Sequence, residues 1–282
     1  MPQLGAAGVG VAAITPDSPD VLRRFASSYA IDYPLLGDIG GRVIDTFGLL
    51  NPNIVPNERQ APGIPFPGHF LLDVDGRVMA KSFTGDLRHR PSGTALVAEH
   101  FGHYEGPRVV VETDEIRAVI RMSTNRLFGG QEAAVRVDLD IAPSWHVYAA
   151  GIEPPYRPLG VEFDVEGDLL ASQTLQWPAA AEVRFDALDA TLPVYEGRVG
   201  ATGRLRLRWS PPPSIFGGLD EAVRRRAIAP GTYALNGVLR YQACRDDLCL
   251  EPRELRFTLP IEVEPTAPPP RDGPAITDAE HP

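Results

Sequence analysis

The chain has 282 residues, a formal net charge of −10 and 43% hydrophobic residues, a length that allows about two cored domains at roughly 150 residues each. Its acidic balance supplies no basic surface of the kind a phosphate backbone requires, which excludes nucleic acid as an expected partner. The 29 prolines are about twice the usual ~5% share and favour edge strands and loops over helical bundles, and no run approaches the ~18 apolar residues of a membrane span.

Strand and helix patterns alternate through the first hundred residues. Gly8–Ile14 is a small-apolar run of strand length, and the weakly apolar start Gly5–Ile14 lacks the basic flank of a signal peptide. Asp17 or Ser18 then caps a helix with Pro19 in its first turn, and Val21, Leu22, Phe25 and Tyr29 recur at helical spacing. A second short helix over Arg42–Phe47 ends at Gly48. His69–Val74 and Arg77–Phe83 flank Asp75-Gly76, a tight-turn signal because Asp-Gly tolerates positive φ. Ser92–Phe101 reads as a helix closing this part.

Beyond the Gly/Pro break at Gly102–Pro107 the pattern becomes almost all strand. Runs such as "PRVVVETDEIRAVIRMS", "EAAVRVDLDIA", "GTYALNGVLRYQA" and "PRELRFTLPIEVE" are separated by turn residues at a spacing that suits a β-sandwich. Leu219–Ile228 reads as a surface helix or basic loop. Residues 265–282, rich in proline and without apolar period, are expected to be a disordered tail.

The phrasing of the first half, "ITPDSPDVLRRFASSYAIDYPLLGDIGGRVIDTFGL" followed by "GIPFPGHFLLDVDGRV", resembles the later part of a redoxin of the AhpC/TSA peroxiredoxin branch. The resemblance implies an incomplete α/β thioredoxin-like domain over residues 1–103, without the first strand and the reactive-cysteine helix. On its residues alone Pro67 is a strand-entry proline; the resemblance makes it a cis-proline of the kind that faces a reactive thiol. The family's cysteine has no counterpart, since residues 1–243 contain none, and without a thiolate this half holds no nucleophile for a peroxide or a disulfide. The expectation is that Met1 is internal to a longer reading frame, the other reading being a decayed scaffold.

Both cysteines of the chain, Cys244 and Cys249, lie in "YQACRDDLC". As a structural staple the pair closes a short loop worth only ~2 kcal/mol in the chain-entropy model. As a metal site it lacks a second pair of ligands; His100, His103 and His146 read as surface or packing histidines, and neither metal nor cofactor is expected. As a redox pair it has geometric support. Tyr233, Leu235, Leu239 and Tyr241 share one face of the incoming strand, and Leu255, Phe257, Leu259 and Ile261 share one face of the outgoing strand. "RDDL" then forms a hairpin loop that sets the cysteines opposite each other, near disulfide reach. The apolar residues are odd-numbered on both strands, whereas pairing Cys244 with Cys249 sets even against odd. One extra residue must therefore be absorbed in a β-bulge close to the pair, and a bridge in such a turn is expected to be reducible.

"SWHVYAAG", "LQWP", "LPVYEGRV" and above all "YQACRDDLCLEP" resemble the N-terminal domain of the DsbD thiol:disulfide interchange reductases. The resemblance implies an all-β immunoglobulin-like sandwich over residues 107–264. Its cysteine pair would accept electrons from a thioredoxin-like protein or domain and pass them on outside the cytoplasm, without a cofactor. It also implies an aromatic cap over the pair, for which Phe185 is the positional match; a core or loop aromatic is the other reading of Phe185. Tyr148, Tyr195 and Tyr241 read as packing residues near the site, with Tyr241 helping to shape it. The expected function is a thiol-disulfide relay through Cys244 and Cys249. The alternatives are a peroxiredoxin-type antioxidant whose cysteine lies upstream, and a non-enzymatic interaction module with a structural disulfide.

Overall fold

The computed structural model describes residues 2–52, 64–85, 90–150, 152, 155–185, 189–210, 227–245 and 248–265. The expected surface helix at Leu219–Ile228 falls, up to Arg226, outside these residues, as does the expected tail from residue 266. Among the described residues, contacts divide the chain into one unit up to Arg90 and one from Pro91 onward.

The first unit is a partial α/β domain. Strand Ala13–Thr15 runs parallel to Leu35–Gly37, and helix Pro19–Ser28 makes the crossover that a parallel pair requires. Ser18, not Asp17, caps this helix by accepting from the Val21 amide at 3.4 Å. Asp38 does the same for the short helix Arg42–Thr46, where its carboxylate accepts from the amides of Val43 at 3.0 Å and Ile44 at 2.9 Å. Those bonds hold its carboxyl below the usual range against the opposing effect of burial. The hairpin of Gly68–Leu72 and Val78–Phe83 is present, but its turn is longer than the Asp-Gly signal predicts. Pairing slips at Leu71/Leu72, and Asp73 binds the amides of Asp75 and Arg77, drawing Asp73 to Arg77 into the turn. Gly76 still supplies the positive φ of 79°.

The second unit is a β-rich sandwich. One sheet orders strands Leu170–Gln176, Arg198–Leu207, Gln131–Ile141, Ile116–Met122 and Arg108–Glu112; another orders Gly160–Phe163, Gly231–Tyr241, Arg253–Glu264 and Arg126–Phe128. Their inner faces meet in one core, with Ile120, Val135, Val137 and Leu205 against Leu235, Phe257, Leu259 and Ile261. The long hairpin pairs Tyr233 with Ile261, Leu235 with Leu259 and Leu239 with Leu255, the odd-face register expected from the sequence. Gly237 faces Phe257 in that ladder, and a Cβ there would enter the Phe257 ring.

Helix Gly93–Phe101, expected to close the first part, belongs to this second unit. Ser92 caps it, and Ala95 and Ala98 pack on Ala134. Glu99 bonds Arg204 at 2.6 Å and 2.8 Å across the sheet.

Candidate functional site: a disulfide on the outer face of a short sheet

A third sheet carries the cysteines. It orders Ala181–Phe185, Ala190–Glu196, His146–Tyr148, Ala243–Arg245 and Leu248–Cys249. Odd residues face odd as far as Tyr241 opposite Arg253. Beyond that point Leu250 donates its amide to the Ala243 carbonyl at 3.0 Å and Cys244 faces Cys249. Glu251 and Pro252 therefore stand opposite the single residue Gln242, whose side chain spans the gap to the Leu250 carbonyl at 3.0 Å. This is the bulge that strand parity requires, and Pro252, without an amide hydrogen, suits it. The chain changes sheets at the same place. Pairing runs one rung beyond the cysteines, to Arg245 opposite Leu248; Asp246 and Asp247 lie outside the described residues.

The bulge decides which way Cys249 points. Tyr241 and Ala243 face inward, into a cluster with Ile116, Leu139, Ile141, Val147 and Tyr195. Cys244 takes the alternate face, and the extra residue brings Cys249 onto that same outer face. The two form a disulfide with Cα atoms 4.1 Å apart. Cys244 is 1% exposed, whereas Cys249 is open to solvent.

Cys244 is buried on an outer face because a small second cluster covers it. Tyr148, Leu192 and Val194 surround it, with Phe185, Tyr156 and Ile152 packed against them. The Tyr148 hydroxyl lies 3.6 Å from the Cys244 sulfur and 3.7 Å from the Cys249 sulfur. Neither disulfide sulfur carries a hydrogen, so the phenol is the donor to both. Burial, reinforced by neighbouring Tyr156, pushes the Tyr148 hydroxyl pKa up and keeps it protonated.

Phe185 reaches this cluster by curvature. It pairs with Ala190, and His146 pairs with Glu196. On a flat ladder the six positions from Ala190 to Glu196 span about 20 Å, yet the Phe185 and His146 rings are 5.0 Å apart. The hairpin of Ala181–Phe185 and Ala190–Glu196 thus curls back over the outer face. His146 is 6% exposed and its Nε2 has no hydrogen-bond partner. Burial lowers its pKa and Glu196 partly opposes this, which leaves a neutral imidazole at neutral pH. On the neighbouring strand, the Arg245 guanidinium stacks 4.9 Å over the Trp145 ring.

Of the residues singled out from sequence, Cys244, Cys249 and Phe185 come together here. The Tyr241 side chain does not, because strand alternation sends it to the inner face, where its hydroxyl meets Thr113 at 2.9 Å and Glu115 at 3.3 Å. Pro67 belongs to the first unit, where its carbonyl accepts from the Thr84 amide at 3.0 Å. Tyr148 and His146, both read from sequence as packing residues, join the site: the Tyr148 hydroxyl reaches both sulfurs, and His146 pairs with Cys244 on the adjacent strand. Among the described residues no three His, Cys, Asp or Glu side chains gather as a metal site, and no helix is long and apolar enough to cross a membrane.

Residues 1–81 match the AhpC/TSA family. The first unit is thus similar in sequence to thioredoxin-like redoxins. No curated protein matches the chain. Among solved structures, similarity is found to the N-terminal periplasmic domain of ScsB from Proteus mirabilis, at 12% identity and a TM-score of 0.36 over 56% of this chain; the chain spans 51% of that structure's length. A family 123 glycoside hydrolase from Clostridium perfringens aligns at 13% identity and a TM-score of 0.27, over 50% of this chain and 22% of its own. AggA, the major subunit of aggregative adherence fimbriae type I from Escherichia coli, aligns at 9% identity and a TM-score of 0.26, over 57% of this chain and 99% of its own. At these scores the alignments identify no relative.

Proposed function

We propose that the chain is a thiol-disulfide oxidoreductase in which Cys244 and Cys249 exchange electrons with a thioredoxin-like domain or partner. The observation that carries this reading is the asymmetry of the pair, an open Cys249 sulfur backed by a buried Cys244 sulfur in a sequence with no other cysteine. A partner thiolate attacks the accessible sulfur of Cys249, a mixed disulfide forms and Cys244 leaves; the partner's second thiol then releases Cys249, and the pair holds two electrons as two thiols. No metal or organic cofactor enters these steps. The redoxin match of residues 1–81 and the DsbD-like cysteine box support the reading. In this assignment residues 107–264 form the exchange module, Phe185 is the cap of the pair and Pro67 shapes the redoxin-like part. A disulfide of this kind persists in oxidising compartments, which favours an extracytoplasmic location.

The test is reduction of the folded protein by a catalytic amount of thioredoxin with its reductase, followed by maleimide trapping. Two trapped thiols per chain within minutes support the relay. A pair that stays oxidised until the protein is denatured leaves the structural-disulfide module as the correct reading.

A further inference from the structure

Alternation and register place Glu196, His146, Cys244 and Cys249 in one row across four strands, because His146 pairs with Glu196 on one side and with Cys244 on the other, and Cys244 pairs with Cys249. Directly opposed strand residues share a face with Cβ atoms about 4.5–5.5 Å apart, so the imidazole stands next to the buried cysteine. A buried polar nitrogen without a partner is costly and calls for an explanation. In the oxidised protein the His146 Nε2 has no hydrogen-bond partner; reduction puts a new donor, the Cys244 thiol, at the paired position on the adjacent strand.

We propose that His146 is the general base that activates Cys244 when the reduced pair passes its electrons on, an inference that rests on the exchange role proposed above. Cys249, being open, attacks the acceptor disulfide first and forms a mixed disulfide with it, expelling the acceptor's other sulfur as a thiol. Cys244 must then resolve this bond, but at 1% exposure water cannot take its proton. Nε2 of His146 takes it. The Cys244 thiolate attacks the Cys249 sulfur, the Cys244–Cys249 bond forms, and the bond between Cys249 and the acceptor breaks with its electron pair leaving on the acceptor sulfur. The proton held on His146 passes to that thiolate or to solvent, so the acceptor disulfide ends as two thiols and the pair as a disulfide.

The titratable groups facing the imidazole are consistent with this role. Glu196 on one neighbouring strand is exposed and favours the imidazolium once it forms. Tyr148, two residues along, is protonated and donates to the sulfurs; Tyr156 packs behind it at a ring distance of 5.0 Å. The curled hairpin presents the uncharged Phe185. No cation among these groups would repel a proton arriving on Nε2.

The experiment mixes fully reduced protein with a chromogenic aromatic disulfide in a stopped-flow instrument. The first aromatic thiol released reports attack by Cys249 and the second reports resolution by Cys244. In the wild-type protein the second phase is expected to inflect clearly below the ordinary thiol pKa of about 8.5. In His146→Phe the second phase slows at least tenfold at pH 7 and its inflection moves up to the thiol range, while the first phase stays within about twofold. His146→Gln, which keeps a polar side chain, behaves as the Phe variant does. A wild-type second phase that inflects at the ordinary thiol value overturns the proposal without recourse to any variant, as does an unchanged profile in a folded variant. Absence of the first phase would instead sink the exchange role itself.

Discussion

Cys244 and Cys249 share a rung of the ladder, but only Cys249 reaches solvent. The two single-cysteine variants are therefore not equivalent. Cys244→Ser keeps the accessible sulfur and should accumulate, close to one per chain, a mixed disulfide with a thioredoxin-like partner whose single remaining cysteine is activated as an aromatic disulfide, the aromatic thiol leaving. Cys249→Ser leaves only the buried sulfur and should form at least tenfold less over the same time. Non-reducing electrophoresis with mass spectrometry of the adduct measures both, and equal trapping by the two variants would refute the asymmetry.

Tyr148 donates toward both sulfurs, at 3.6 Å and 3.7 Å. Hydrogen bonds to charged acceptors contribute about 1.5–3 kcal/mol, so a thiolate formed at either position is stabilised by this hydroxyl. Tyr148→Phe should raise the apparent pKa of the more acidic thiol by about one unit or more and slow exchange about tenfold at pH 7. Alkylation rates of the reduced protein against pH give the shift; an unchanged pKa would remove Tyr148 from the chemistry.

Tyr241 provides the contrast, since its hydroxyl bonds Thr113 and Glu115 on the inner face. Tyr241→Phe leaves the buried Glu115 and the half-buried Thr113 each one partner short and should cost about 1–2 kcal/mol of stability, read in urea melts, with exchange kinetics unchanged in the folded fraction. A kinetic defect without a stability defect would return Tyr241 to the site.

Asp38 gives the first unit a pH-dependent contact. The Val43 and Ile44 amides hold its folded carboxyl below the unfolded value, with burial opposing them. Its stabilising contribution is therefore complete above the ordinary carboxyl range and is lost as pH falls through the lower folded value. Amide exchange in Arg42–Thr46, corrected for the intrinsic rate, should show protection declining in that acidic window, and Asp38→Asn should flatten the decline. A decline centred near neutrality would exclude Asp38 as its source.

Gly203 lies in the Arg198–Leu207 strand opposite Leu175. A Cβ at this position would overlap the Thr174 carbonyl oxygen and crowd the Leu175 Cα, both backbone atoms that cannot swing aside. Gly203→Ala should cost at least about 1–3 kcal/mol. A melting temperature for the second unit equal to wild type would show that the strand edge yields.

Periodicity made the long hairpin legible before any coordinates. Odd apolar positions on both strands set the Tyr233–Ile261 register, and their conflict with the Cys244–Cys249 pair announced the bulge. The same rule, followed one step further, places Tyr241 on the face away from the cysteines. His146 and Tyr148 were legible only as packing residues because their strand is three residues long, too short to show a period, and its partners come from segments some fifty and a hundred residues away. The curl that carries Phe185 to His146 is a tertiary property, and no local pattern in "EVRFDAL" encodes it.

The fault at Gln242 also determines how the pair can be opened. Below it, eleven rungs from Gly231 to Tyr241 lock the hairpin into the sandwich core; above it only two, Cys244–Cys249 and Arg245–Leu248, belong to the tip. Ladders fray rung by rung, and a break in pairing stops the unzipping as a gap stops a fire. The tip is thus a small cooperative unit of its own, hinged on Glu251 and Pro252. Once the covalent link between its strands is cut, the Leu248–Cys249 edge strand can swing away for the energy of two rungs rather than that of the domain, while Cys244 stays paired with His146.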